Sequence, residues 1–546
     1  MRDHAFRTLT MFATKRGADD RPTGGATIRT RRERAVAAGT RGDTMALHDF
    51  TLADVYRRNA VLFPERTAFV VDGVRLTHRD YLARAERLAS GLLRDGVQTG
   101  DRVAILSQNC IEMVELIGAV ALIGAILLPV NYRLNADEIA FVLSDGAPSV
   151  VVAGTDYRDI VAGMLPSLDG VKKAYAIGGG SGPFAPFTEL SSEAPFAPAE
   201  FGAADGFVII HTAAVGGRPR GALISQGNLL IGQSSLVEAW RLTEVDVNLG
   251  MLPLFHVTGL GLMLTLQQAG GASVIAAKFD PAQAARDIEA HKATVMAEFA
   301  PMLGNILDQA QPAQLKSLRA VTGLDTPETI ERFEAACPDA TFWATFGQSE
   351  TSGLSTFAPY RDRPKSAGRP LFWRTVAVVD AEDRPLPPGE IGEIVLRGPT
   401  VFKGYWNNAA ATQHAFRNGW HHTGDMGRFD ADGYLFYAGR APEKELIKTG
   451  GENVYPAEVE GALKQHPAIA EAVVIGVPDP QWSEAIKAVC MCKPGQSVAA
   501  DTLAEFVASL IARYKKPKHV VFVEALPKDA KGAIDRTAVK AAHGQA

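Results

Sequence analysis

The sequence predicts an α/β fold: a large N-terminal region of doubly wound sheets with a β-rich subdomain, then a small, mobile α+β C-terminal domain. Three observations lead there. At 546 residues the chain is longer than one ordinary hydrophobic core accommodates. From Thr51 to about Val152, short apolar strand patterns alternate with helical ones, which implies parallel, doubly wound sheets. Finally, the stretch 423–456, TGDMGRFDADGYLFYAGRAPEKELIKTGGENVYP, sets a carboxylate (Asp425) and a guanidinium (Arg440) before a charged connector and a glycine-rich turn. That order suggests a nucleotide grip next to a hinge.

Composition narrows the class. Hydrophobic residues make up 47% and charged residues 21%, as in soluble globular proteins. A net charge of −5 argues against general nucleic-acid or membrane-surface binding. Four cysteines are too few for a disulfide framework, and Cys490-x-Cys492 has no nearby His, so a metal reading is poor and a reducing cytoplasm fits best. The most apolar run, LIGAVALIGAILLPV at 116–130, is shorter than the roughly 18 residues a membrane span needs and is expected to be a buried core helix.

Residues 1–44 are rich in Arg, Gly and Thr with little periodicity, and are expected to be disordered or a non-native extension. The basic run RTRRER (29–34) would suit a targeting peptide, but Asp19-Asp20 and the missing apolar core count against one. Met45 directly precedes the first amphipathic helix spacing. Thr77 is placed to cap the next helix, 102–105 is a strand, Gln108-Asn109 a turn, 116–126 a buried helix, and 127–130 and 150–153 are strands. The Gly/Pro/Ser-rich segment 178–203 is expected to be a surface connection. A strand at 207–210 runs into HTAAVGGRPRG (211–221), where Thr212, Gly216 and Gly217 can present backbone N–H groups to phosphates and Arg220 supplies charge. Residues 318–325 form a strand then a turn, 389–408 a β-rich piece, and 434–438 a strand ended by Gly439-Arg440. After the connector APEKE (441–445) come a helix at 455–466, strands at 472–477 and 485–492, a helix at 503–514, a basic turn at 515–518 and a strand at 519–523.

TGD, then GR, then GGENVYPAEVE resembles the adenylate-forming superfamily of acyl-CoA synthetases, luciferases and peptide-synthetase adenylation domains, and GGENVYPAEVE is most similar to the acyl-CoA synthetase branch. The resemblance implies an N-terminal AMP-binding domain over 45–440 and a mobile C-terminal domain over 441–546. It places His256, in PLFH, beside the carboxylate pocket, and 297–302 in a pocket wall. Within that wall Glu298 is unusual in an apolar run, so either solvent exposure or contact with a polar substrate group is expected. Gly323, Leu324 and Asp325 would pack on adenine. FGQSE is similar to the family's YGxTE: Phe346 would stack on adenine, followed by Gly347 and Gln348, Ser349 would bind phosphate, and Glu350 would hold Mg²⁺. GEI, RGP and GYW within 389–408 match the family too. Asp425 would accept the ribose hydroxyls, and Arg440 would reach ribose or phosphate.

The implied activity is an ATP-dependent, AMP-forming ligase joining a medium-chain fatty or aromatic acid to CoA. The turn Gly450-Gly451-Glu452 would serve the thioester step, and a C-terminal lysine turn the adenylation step. The implied partners are the acid, ATP, Mg²⁺ and CoA, with no nucleic acid and no integral membrane contact; a homodimer is left open. Two departures matter. In the phosphate loop His211 stands for Tyr, Ala213-Ala214 for Ser-Gly, Val215-Gly216 for Thr-Thr and Arg220 for Lys. Near the C-terminus Ala533 occupies the lysine position, leaving Lys531, two residues away, or Lys528 as substitutes. Two alternatives follow: a stand-alone adenylating enzyme that loads a carrier protein, and a catalytically weakened nucleotide-binding relative.

Overall fold

Two mainly parallel sheets hold a layer of helices between them. The computed structural model describes residues 49–196, 200–212, 219–440, 446–449, 452–480, 482–528 and 534–545. The N-terminal extension, Gly216, Gly217, the connector 441–445, Gly450, Gly451, Lys531 and Ala533 lie outside the described residues.

The first sheet has nine strands in the order Arg369–Pro370, Gly353–Pro359, Thr341–Gln348, Ala320–Leu324, Val295–Phe299, Val247–Gly250, Ala272–Ile275, Thr67–Val71, Val74–Thr77. Its six central members run parallel, with antiparallel strands at both edges. The second sheet has eight: Gly404–Tyr405, Arg220–Ser225, Gly206–Thr212, Ile126–Pro129, Arg102–Leu106, Val150–Ala153, Lys173–Ala176, Ala185–Pro186. One buried apolar cluster takes residues from both sheets, among them Phe69 and Ile275 of the first and Ile105, Leu127 and Phe207 of the second, with the helices between. The alternating pattern expected from the sequence is therefore borne out, and the reason is burial: strands covered by helices on both faces are apolar throughout, as in the VVVA run Val150–Ala153.

Helix His78–Arg94 starts where expected. Thr77 and Asp80 form a reciprocal capping box, each side chain taking the other's backbone N–H. The buried helix is shifted toward the N-terminus, Ile111–Leu122, because Gly124 in the left-handed region breaks the run before the strand Ile126–Pro129. The expectation of a plain surface connection over 178–203 is corrected: Ala185–Pro186 joins the sheet edge, and Phe187 and Leu190 are buried, the apolar residues winning over the Gly/Pro context.

A third, five-stranded antiparallel sheet holds Thr375–Val379, Gly392–Arg397, Trp420–Phe429, Phe416–Arg417 and Leu435–Arg440. A fourth begins after the connector with the hairpin Ile447–Thr449 and Glu452–Val454, and adds Ser483–Cys492, Ile469–Asp479 and His519–Phe522. Helices Pro456–Leu463 and Ala500–Leu510 pack on it around Val459, Leu463, Leu503 and Val507. The second of these ends earlier than the expected 514, because Ile511 turns to extended backbone. Among the described residues no helix is long and apolar enough to cross a membrane, and no cluster of three or more His, Cys, Asp or Glu could hold a metal ion.

Helices His78–Arg94 and Ile111–Leu122 touch at Gly118, where a Cβ would sit 2.6 Å from the Tyr81 hydroxyl and 2.9 Å from the Ala85 methyl. Gly118→Ala should therefore overpack the central layer, costing about 1–3 kcal/mol. A thermal-unfolding midpoint equal to that of the wild type would show that this layer yields more easily than its packing implies.

Candidate active site

The floor of the site is a buried carboxylate. Asp425 lies on Trp420–Phe429, directly paired with Arg440 on Leu435–Arg440, and is only 2% exposed. Gly424 adopts positive φ, and the Thr423 hydroxyl accepts the Asp425 N–H at 3.0 Å while donating to the Ile394 carbonyl at 2.6 Å. This bend turns the Asp425 side chain toward its partners. Arg440 Nε lies 3.0 Å from Oδ1, the Tyr437 hydroxyl donates to Oδ1 at 3.2 Å, and Gln348 Nε2 donates to Oδ2. Burial opposes the Arg440 charge, but Asp425 together with Tyr455, Tyr437 and Glu350 outweighs it and holds the guanidinium firmly protonated; burial, with Asp425, pushes the Tyr437 phenol up.

Glu350 sits in the turn Ser349–Thr351. Its Oε1 accepts the Tyr405 hydroxyl at 2.9 Å and the Thr212 hydroxyl at 3.4 Å. Arg220 stacks over the Tyr405 ring at 5.6 Å. The strand that carries Arg220 pairs with the one that ends in Thr212, so both ends of the glycine loop are anchored beside Glu350.

The small domain supplies the third wall. Its hairpin brings Glu452, 5% exposed, onto Arg133 Nη1, with Asn131 Nδ2 at 3.4 Å and His256 Nε2 at 3.3 Å. Burial would raise the Glu452 carboxyl, but His256 and Arg133 prevail and hold it below its ordinary range. Lys448 is half-buried, its ammonium over the Tyr437 ring at 5.3 Å; burial pulls its pKa down against the opposing pull of Asp425.

Three adjoining cavities, of about 280, 370 and 340 Å³, share linings and make one cleft. Thr212, Arg220, His256, Ser349, Glu350 and Arg440 line the first, together with Lys448, Tyr455 and Trp482 of the small domain. Gly323, Leu324, Asp325, Phe346, Gly347 and Gln348 line the third. The structure thus gathers into one cleft residues that the sequence spreads from 212 to 440. The segments 297–302 and 257–258 contribute Phe299, Ala300, Val257 and Thr258, as expected of a pocket wall. None of the described residues after 500 lines these cavities; Lys528 pairs with Glu471 at 2.7 Å.

Glu298 is neither solvent-exposed nor in the cavity lining. It is fully buried, on the face of Val295–Phe299 turned to Leu303, Ile306 and Phe333. Gly323, its neighbour in register, leaves the room it lies in: a Cβ there would come within 2.4 Å of Glu298 Oε1. Neither Glu298 oxygen, nor Asp325 Oδ2 beside it, has a hydrogen-bond donor among the described residues. Burial first, then Asp325, pushes the Glu298 carboxyl well above the carboxylate range, which favours its neutral form, an acid able to donate to Asp325.

Sequence reasoning missed Tyr405, Tyr437, Lys448, Trp482 and Arg133. Tyr405 stands in the GYW already recognised, and Lys448 lies two residues before the glycine turn, so proximity to a motif could have found both. Nothing local marks Arg133.

Residues 56–406 match the AMP-binding enzyme family, and 458–533 match the AMP-binding enzyme C-terminal domain. A feruloyl-CoA synthase of Amycolatopsis sp is 33% identical, over 89% of this chain and 98% of its own length. An indoleacetate–CoA ligase of Aromatoleum aromaticum is 34% identical, over 90% and 97%. A solved structure described as a long-chain-fatty-acid CoA ligase, from Rhodopseudomonas palustris CGA009, is 92% identical; it covers 72% of this chain and 100% of that one, with a TM-score of 0.72.

The buried acid gives a test by pH. Folded, Glu298 keeps a proton that the unfolded chain releases at the ordinary carboxylate pKa. Its raised pKa therefore contributes stability at low pH that is lost as pH rises above that value, by about 1.4 kcal/mol per unit. Glu298→Gln carries no such proton and can donate its amide to Asp325. Its melting temperature should fall less than that of the wild type between about pH 5 and about pH 8; parallel curves would show that Glu298 is already ionised in the fold.

Proposed function

We propose a single reaction class for this chain, which belongs to the AMP-binding enzyme family: ligation of a carboxylic acid to coenzyme A, with ATP cleaved to AMP and pyrophosphate. The observation that carries it is the joint lining of one cleft, with Glu350, Ser349 and Arg440 from the large domain facing Lys448, Tyr455 and Trp482 from the small one. A site for two successive reactions needs a fixed nucleotide floor and a wall that can change.

In the first step a carboxylate oxygen of the acid attacks the α-phosphorus of ATP and pyrophosphate leaves. Phe346 and the 323–325 segment take the adenine, and the ribose hydroxyls replace Tyr437 and Gln348 as donors to Asp425. Arg440 and Arg220 offset phosphate charge. Glu350 with the Thr212 hydroxyl offers the oxygen donors that Mg²⁺ accepts alongside phosphate oxygens, so the residues fit that ion. Bound there, Mg²⁺ would neutralise charge on the phosphates. In the second step the CoA sulfur, as thiolate, attacks the acyl carbonyl and AMP leaves with the bonding pair. Glu452, held on Arg133 and His256, fixes the hairpin against the cleft for this step. The domain division at 440/441 and rotation about 441–445 belong to the same proposal.

The acid is medium-chain fatty or aromatic. Val257, Phe299, Leu354, Phe279 and Met302 give the lobes an apolar lining, and the relatives named for ferulate and indoleacetate support an aromatic acid. Four free cysteines and no disulfide among the described residues support a cytoplasmic setting.

The deciding experiment gives the purified chain ATP, Mg²⁺, CoA and a panel of fatty and aryl acids and measures acyl-CoA and AMP; a panel that yields no AMP retires the ligase reading. Glu350→Gln should slow adenylate formation, followed by ATP–pyrophosphate exchange, by roughly 100-fold, and exchange at the wild-type rate would remove Glu350 from the metal role. Ala533→Lys should accelerate the same exchange while leaving thioester formation from preformed adenylate unchanged. No acceleration would mean that another cation, such as Lys531, already supplies the charge.

A further inference from the structure

Besides the cleft itself, side-chain contacts among the described residues join the small domain to the strip 131–138 of the large one. Arg133 and Asn131 hold Glu452, and Asn135 Nδ2 donates to the Leu510 carbonyl at 2.9 Å. The last contact is a buried ammonium. Lys515, 3% exposed, donates to Glu138 Oε1 of the large domain and, at 2.6 Å, to Glu458 Oε1 of its own domain. Tyr514 covers it, its ring 5.6 Å from the ammonium.

The three charges differ in what they ride on. Lys515, in the turn Arg513–Lys515, and Glu458, in the first turn of Pro456–Leu463, belong to the same small sheet-and-helix unit and move together. Glu138 is fixed in the first turn of Ala136–Gly146 by a capping box with Asn135: each backbone N–H reaches the other's side chain at 2.9 Å. Any rotation of the small domain therefore leaves Lys515 with Glu458 and strips Glu138 away. A lysine that keeps one carboxylate in both arrangements never faces the full cost of an unpaired buried charge, and the second carboxylate tips the balance.

We propose that Glu138 is a positioning residue for the thioester step: it grips Lys515 only when the small domain is docked with its hairpin at the cleft, and that grip selects the docked arrangement. The inference rests on the two-step reading above. It concerns how the chain chooses between its two working faces, not which groups touch substrate. Burial, with Glu138 pushing the same way and Lys515 pulling against them, raises the Glu458 carboxyl to about 6, as expected of two acids sharing one cation.

Glu138→Gln tests it cleanly. A glutamine keeps the capping box through its single oxygen and loses the charge and the acceptor that face Lys515. Asp137→Asn, in the same helical turn but exposed and without a contact to the small domain in the described residues, is the control. Two readouts are taken on the full chain. The first is hydrogen exchange without any ligand: in Glu138→Gln the amides of 452–454 and 512–515 should exchange roughly ten-fold faster, a typical coupling energy for such an element, with the interior of helix 136–146 unchanged. The second compares half-reactions: thioester formation from preformed adenylate should fall by a similar factor while ATP–pyrophosphate exchange holds or rises. Unchanged exchange of those amides, or an equal loss in both half-reactions, overturns the latch. If the amides respond as stated but the wild-type chain forms no thioester, the latch stands and the ligase reading is the part that fails.

Discussion

A carboxylate removed from water must be answered by donors, and Asp425 organises the molecule around that requirement. Left alone at 2% exposure it would cost several kcal/mol or pick up a proton. Instead Arg440 and Tyr437 from one strand of the third sheet and Gln348 from a strand of the first converge on it. That convergence ties the β-rich subdomain to the nine-stranded sheet at the point where a nucleotide would lie. It also makes the floor preformed. Were the ribose hydroxyls proposed above to take the place of these donors, little conformational entropy would remain to be lost on binding.

The interface between the domains follows the same electrostatic logic with a different result. Glu452 with Arg133 and His256, and Lys515 with Glu138 and Glu458, are buried or half-buried charges in directional pairs. Such pairs give register more than adhesion, since much of their attraction is offset by desolvation. A polar seam of this kind is compatible with the domain rotation proposed above. A large apolar face would hold it permanently.

Local motifs were legible where the chemistry is local. TGD bends a strand through Gly424 and the Thr423 hydroxyl, and FGQSE carries its adenine, phosphate and metal candidates within five residues. The parallel sheets were legible because strands sandwiched between helices lose their alternation. Glu298 shows where such reasoning stops. In the sequence it is an acid in an apolar run, and exposure or substrate contact were the natural expectations. Its actual neighbour Asp325 comes from the next strand, and the space between them exists because position 323 is glycine. Arg133 is an even longer-range case, separated from Glu452 by 319 residues.

By itself the sequence determined the layered α/β architecture, the choice of Asp425, Arg440 and Glu350 as candidates for a nucleotide site, and the presence of a small C-terminal domain beyond a charged connector. These rest on periodicity and contiguous motifs, which are properties of neighbouring residues. Only the tertiary structure decided which charges meet across the domains, that Lys448 and Trp482 enter the cleft, and that Glu298 is hidden beside Asp325 behind the cleft wall. Those facts depend on distances between segments far apart in the chain. Burial, which sets the protonation of Glu298 and the strength of every ion pair at the seam, exists only once the layers have closed.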